Sequence, residues 1–113
     1  MAGSLGEQTQ SRAAQAVAKI IYSRNAVAHL GTVFEFLLEQ DTTAAVASAV
    51  AIREAVGILA HHPLIGRRVE GELRELVISF GKTGYLALYR FLPRLDEIRI
   101  LAIRHQRELD YPA

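Results

Sequence analysis

The chain contains no cysteine, which excludes disulfides, thiolate metal sites and cysteine nucleophiles together. Its four histidines show no metal-like spacing. His61 and His62 are adjacent, and neighbours on a helix point about 100° apart, so the pair does not chelate one ion without further ligands. No metal and no cofactor is expected. A phosphate-cradling glycine loop, a serine nucleophile elbow and a paired-carboxylate signature are all missing, which disfavours the common small-molecule enzymes. Charge of one sign is also scarce: thirteen Lys and Arg against twelve Asp and Glu leave a formal net charge of +1, too little to attract nucleic acid by bulk charge. No uninterrupted apolar run approaches the roughly eighteen residues of a membrane helix. The first residues lack the basic start and apolar core of a secretory signal, and the expected location is the cytoplasm.

What is present is one domain's worth of ordinary globular sequence, 113 residues and half of them hydrophobic. Residues 1–16 mix Gly, Ser, Gln, Thr and Ala with a single leucine. They offer little apolar surface to compensate the entropy of ordering and read as a flexible leader ahead of a domain over 17–113. Val17 to Tyr22 is a short strand pattern, and Ser23 is positioned to cap a helix. From Arg24 to Gln40, Ala26, Leu30, Val33, Phe34, Leu37 and Leu38 recur at helical spacing. Asp41-Thr42-Thr43 breaks that helix and caps a second, Ala44 to His61, which Pro63 and Gly66 end. The period then changes. Leu73 to Phe80 alternates, Gly81 to Gly84 is a turn, Tyr85 to Leu92 returns, and Glu97 to Ile103 is apolar enough to be a central strand. The order predicts an α+β domain, β-α-α-β-β-β, with an antiparallel helical hairpin covering one face of a small, mainly antiparallel sheet. The other face and the polar tail from Arg104 define the expected working surface.

Residues 64–113 carry nine Lys and Arg against seven acids, and residues 1–63 four against five. If Arg74, Arg90, Arg99 and Arg104 share the open face, they form a patch suited to phosphate or carboxylate groups. The alternative is solubilising charge, partly paired with Glu75, Glu97 and Glu108. Arg104, His105, Arg107 and Tyr111 gather the acid–base groups near the C-terminus. Their plainer reading is a polar strand end, with Tyr111 packed on the domain and Arg107 paired with Glu108 or Asp110. His61 and His62 suit a helix C-terminus, and His29, mid-helix without a ligand-type neighbour, is expected at the surface. Tyr85 and Tyr89 read as sheet-face packing before they read as a base-stacking platform.

Several segments, in order, carry a resemblance: Tyr22-Ser23-Arg24-Asn25-Ala26, His62-Pro63-Leu64-Ile65-Gly66-Arg67, Leu73-Arg74-Glu75-Leu76, Gly84 to Arg90, and Ile98 to Glu108. With the two-helix hairpin between the first pair, the chain from Ile20 to Tyr111 resembles the RelE/ParE superfamily of toxins from bacterial type II toxin–antitoxin modules, also called plasmid-stabilisation proteins. The resemblance implies one of two activities. RelE-like members cut mRNA on the ribosome, with basic strand residues, an arginine just after Gly-Tyr, and C-terminal basic and tyrosine groups. ParE-like members lack that set, have a longer helical hairpin, and poison DNA gyrase. Here Arg74 would stand for the strand basic group, Arg107 for the one after the last strand and Tyr111 for the terminal tyrosine, but Leu86 follows Gly84-Tyr85 where the nuclease pattern has arginine. A leucine cannot neutralise the charge that builds on a scissile phosphate.

The favoured expectation is therefore a ParE-like growth inhibitor that binds gyrase and has no catalytic residues. Arg74, Lys82, Arg90, Arg104, His105, Arg107 and Tyr111 would contact the target or the antitoxin. The alternative is a ribosome-dependent mRNA endonuclease using Arg74, Arg90, His105, Arg107 and Tyr111. Either toxin implies a small, partly disordered antitoxin that lays apolar side chains on it and covers the basic patch.

Overall fold

A computed structural model describes residues 17–81, 83–108 and 110–112; the leader 1–16 and Lys82 lie outside them. Strand β1 (Lys19–Tyr22) leads into helix α1 (Arg24–Gln40) and helix α2 (Thr42–Gly57), which a 3-10 turn (Ile58–Ala60) prolongs. Strands β2 (Arg67–Glu70), β3 (Leu73–Phe80), β4 (Thr83–Leu92) and β5 (Glu97–His105) follow. The sheet order is β1-β5-β4-β3-β2, with β1 parallel to β5 and every other pairing antiparallel. The α+β class and the order of elements are those read from the sequence, with one short strand added. β2 (Arg-Arg-Val-Glu) is exposed at every position, so it carries no alternation to reveal it. Its pairing comes from β3.

Local chemistry sets the helix ends. The Ser23 hydroxyl accepts from the Ala26 N–H at 3.1 Å and donates to the Leu101 carbonyl at 3.0 Å, so a single side chain caps α1 and ties it to β5. Asp41 ends α1 and caps α2, its carboxylate accepting from the Thr43 N–H at 2.9 Å. Thr42–Ala60 is long and apolar enough, by length and composition, to cross a membrane, but it places Ala45, Ser48, Ile52, Val56 and Leu59 in the protein interior.

The core lies between the hairpin and the sheet. Ala26, Ile52, Val56 and Leu59 pack with Ile78, Tyr85, Ala87, Tyr89, Ile98, Ile100 and Ile103. The β4–β5 register skips Leu101, and this bulge keeps Ile98, Ile100 and Ile103 on the helix side although their spacing is uneven. Beyond Ile100 the β1 edge of β5 has no strand partner, and His29 takes that role. Its ring is 6% exposed, and Nδ1 accepts from the Ile103 N–H at 3.1 Å. The surface position expected for His29 is thereby corrected: a backbone donor that no strand reaches needs a buried acceptor.

Candidate functional site

Register decides which arginines meet. Residues opposite one another across strands point to the same face, so the face away from the helices carries Glu75 and Val77 of β3, Leu86, Leu88 and Arg90 of β4, and Arg99 and Arg104 of β5. Arg74 does not join them. It lies opposite Tyr89, a fully buried core residue, on the helix side. Its guanidinium donates to the carbonyls of Leu64 at 3.1 Å and Gly66 at 2.8 Å. Tyr89 holds the same loop, donating to the Pro63 carbonyl and accepting from the Gly66 N–H, both at 2.8 Å. Burial pushes the Tyr89 phenol above its ordinary pKa, against the Gly66 N–H and the Arg74 charge. The fit leaves no space at Gly66, where a Cβ would stand 2.5 Å from a Tyr89 ring carbon and 2.9 Å from the Glu75 carbonyl. Arg74 and Tyr89 thus clasp the link between α2 and β2.

At the centre of the open face sits a carboxylate. Glu75 is 5% exposed and accepts from Arg67 Nη2 at 2.6 Å and Nε at 3.1 Å, and from the Tyr111 hydroxyl at 2.7 Å. Arg104 approaches its other oxygen at 3.8 Å and lies 5.1 Å from the centre of the Tyr111 ring. Burial alone would raise the Glu75 pKa, but the hydrogen bonds from Tyr111 and Arg67 and the charges of Arg67 and Arg104 outweigh it and hold the carboxyl below its ordinary value. Tyr111 responds oppositely. Burial first, then the bond to Glu75 and the Glu75 charge, push its phenol far above 10.0.

The tail therefore folds back on the sheet. Arg104 donates to the Glu108 carbonyl, and the His105 N–H to the Glu108 carboxylate at 3.0 Å. His105 is held at both nitrogens: Nδ1 accepts from the Arg107 N–H at 3.1 Å, so Nε2 carries the proton and donates to the Thr83 hydroxyl. Its ring meets Tyr85 edge-on at 5.4 Å. Of the residues named from the sequence, Arg104, Tyr111 and the backbone of His105 come together around Glu75 and Glu108. Arg90 lies further along the open face, Arg107 projects an exposed side chain, Arg74 faces away, and Lys82 is not among the described residues. Glu75 was foreseen only as one arginine's partner. Its sole sequence signal is an acid placed two residues from both Leu73 and Val77 on one strand face.

Chemically this arrangement can bind and hold a partner group. A phosphate placed among Arg67, Arg104 and Tyr111 would meet the Glu75 charge. A phenol that holds its proton this tightly donates and does not serve as a base. Leu86, opposite Arg104 and 8% exposed, contributes only apolar surface at the position where the resemblance calls for arginine. A second feature escaped the sequence reading, a cleft of about 570 Å³ where the two helices meet β1, lined by Tyr22, Val27, Leu30, Phe34, Ile52 and Arg53. Burial raises the Tyr22 phenol there, partly countered by the Arg53 charge.

The family model described as ParE toxin of the type II toxin–antitoxin system, parDE, matches residues 20–110. The chain belongs to the ParE toxin family. That span coincides with the resemblance read from Ile20 to Tyr111. Toxin RelE3 of Caulobacter vibrioides is 46% identical over 50 residues, 44% of this chain and 52% of that protein; the chain thus spans about half the length of this curated relative. Among solved structures, a chain of the chromosomal ParDE toxin–antitoxin system from P. aeruginosa superposes with a TM-score of 0.67 at 22% identity, covering 80% of this chain and 98% of that one. At that identity the likeness establishes the shared fold.

Proposed function

We propose that this member of the ParE toxin family arrests growth by binding DNA gyrase, without catalytic residues of its own, and that a cognate antitoxin neutralises it in the cytoplasm. The observation that carries the reading is the Glu75 carboxylate, which takes up Arg67 and the Tyr111 hydroxyl and lies 3.8 Å from Arg104, so these groups are engaged within the chain where an RNA-cutting site would turn them to a scissile phosphate. The other residues of the alternative nuclease set support it as well. Arg74 is spent on loop carbonyls, His105 on Thr83 and Arg107, and Leu86 replaces the expected arginine. The antitoxin follows from the family and from the cleft between the helices, whose Val27, Leu30, Phe34 and Ile52 walls suit apolar side chains of a segment that folds on binding.

Purified protein added in excess to a gyrase supercoiling reaction is expected to block supercoiling and trap cleavage complexes. Unchanged supercoiling would refute the gyrase assignment. The shared stretch with a protein named RelE3 keeps the ribosomal alternative specific: codon-positioned cuts in primer extension on translating ribosomes, lost in the Arg107→Ala/Tyr111→Phe variant, would establish it instead.

A further inference from the structure

The donors around Glu75 are those of an anion site, and the anion in it belongs to the chain itself. Oε1 accepts from Arg67 Nη2 at 2.6 Å and from its Nε at 3.1 Å, and Oε2 accepts from the Tyr111 hydroxyl at 2.7 Å. Guanidinium and hydroxyl donors converging on one small group are what recognises a carboxylate or a phosphate from outside. They reach it from separate elements. Arg67 lies opposite Glu75 on β2, Arg104 stands on β5 opposite Leu86, and Tyr111 comes from the tail. Among the described residues, Glu75 is the one carboxylate within ion-pair distance of Arg67 or Arg104; the Glu108 carboxylate accepts from the His105 N–H instead.

This cradle holds more donors than two oxygens use. Arg104 Nη2 stops 3.8 Å from Oε2, beyond hydrogen-bond reach, and Arg104 Nε is buried with no hydrogen-bond partner among the described residues. A buried N–H left unpaired is costly, so the carboxylate fits incompletely on the Arg104 side. A tetrahedral phosphate offers more acceptor oxygens than a carboxylate does, and with Glu75 gone two guanidiniums would face it. Access from solvent passes Arg67, whose side chain is 69% exposed where those of Arg104 and Glu75 are 13% and 5% exposed.

We infer that Arg67, Arg104 and Tyr111 form a latent phosphate site and that Glu75 is its built-in occupant, an autoinhibitory contact that keeps phosphate groups off the open face. A purely structural Glu75 would behave differently: its loss would loosen the tail, and no dissolved anion would restore it. The proposal goes beyond the gyrase reading and stands or falls apart from it, since phosphate binding and supercoiling are separate measurements.

The test is thermal melting and amide exchange of the full chain in inorganic phosphate, in acetate and in chloride, at matched ionic strength and neutral pH. Glu75→Ala empties the cradle. Its Tm is expected to rise saturably with phosphate above the chloride baseline, and amide exchange from His105 to Glu108 to slow again as the tail docks. The wild type, whose own carboxylate competes and repels, should bind phosphate at least about tenfold more weakly. Glu75→Ala/Arg67→Ala should lose the response. A phosphate response no larger than that of the wild type, a response that survives the loss of Arg67, or tighter binding of acetate than of phosphate overturns the inference. Should Glu75→Ala be unfolded in chloride, recovery of the folded chain in phosphate supports it, and a chain that stays unfolded in both salts overturns it.

Discussion

Glu75 organises the open face because it is an acid with more partners than it has oxygens. Its native carboxyl binds a proton less readily than it does in the unfolded chain, so at acid pH the unfolded state takes up more protons and stability falls. The contribution is complete above the ordinary value of 4.5 and is lost as the pH drops through the lower native value. Glu75→Gln is expected to flatten this acid limb in thermal melts between about pH 5 and 2. Tyr111 carries the opposite sign: its raised pKa makes its contribution present below 10.0 and lost only in strong alkali. At neutral pH, Tyr111→Phe removes one charge-assisted bond and is expected to cost about 1–2 kcal/mol, with faster amide exchange from His105 to Glu108 as the sign that the tail has come loose. At Gly66 the constraint is steric. Gly66→Ala should cost about 1–3 kcal/mol by displacing the Tyr89 ring, seen as a lower urea midpoint with an unchanged m-value.

The elements divide by how locally they are determined. Helix α1 was legible because its apolar spacing and the Ser23 cap are contained in neighbouring residues, and the observed Arg24–Gln40 matches that reading. β3 and β4 were legible from alternation and from the Gly81–Gly84 turn. β2 was not, since its four exposed residues depend wholly on β3 for their conformation. The face of Arg74 was not legible either: one residue of register separates the open side from the core side, and the parity is set by Tyr89 across the strand gap. Nor could His29 be placed, because its partner Ile103 is 74 residues away and becomes available only where β1 stops short of β5. His29→Leu keeps the apolar burial but orphans that N–H. A loss of about 1–3 kcal/mol is expected, read as a Tm drop of roughly 4–8 °C per kcal/mol for a domain of this size.

For the whole molecule, the two faces of the sheet differ in what they carry. The hairpin closes one side and keeps the apolar cleft at its outer end. The other side gathers Arg67, Arg104 and Tyr111 on Glu75, while Arg90 and Arg94 have no carboxylate within ion-pair distance among the described residues. The resemblance in the sequence supplied the family and the absence of an arginine at Leu86. It could not supply the division of the arginines, which arises from register, the Leu101 bulge and the returning tail. On the proposed reading the chain inhibits by occupying a surface, so its effect should saturate with its target and survive loss of the groups that cutting would need. The most direct test is a gyrase supercoiling titration with wild type beside Glu35→Gln, an exposed position on α1 that lies outside the open face and lines no part of the helix cleft. The account predicts that both proteins block supercoiling at the same concentration; supercoiling that proceeds unimpaired with either protein in excess would contradict it.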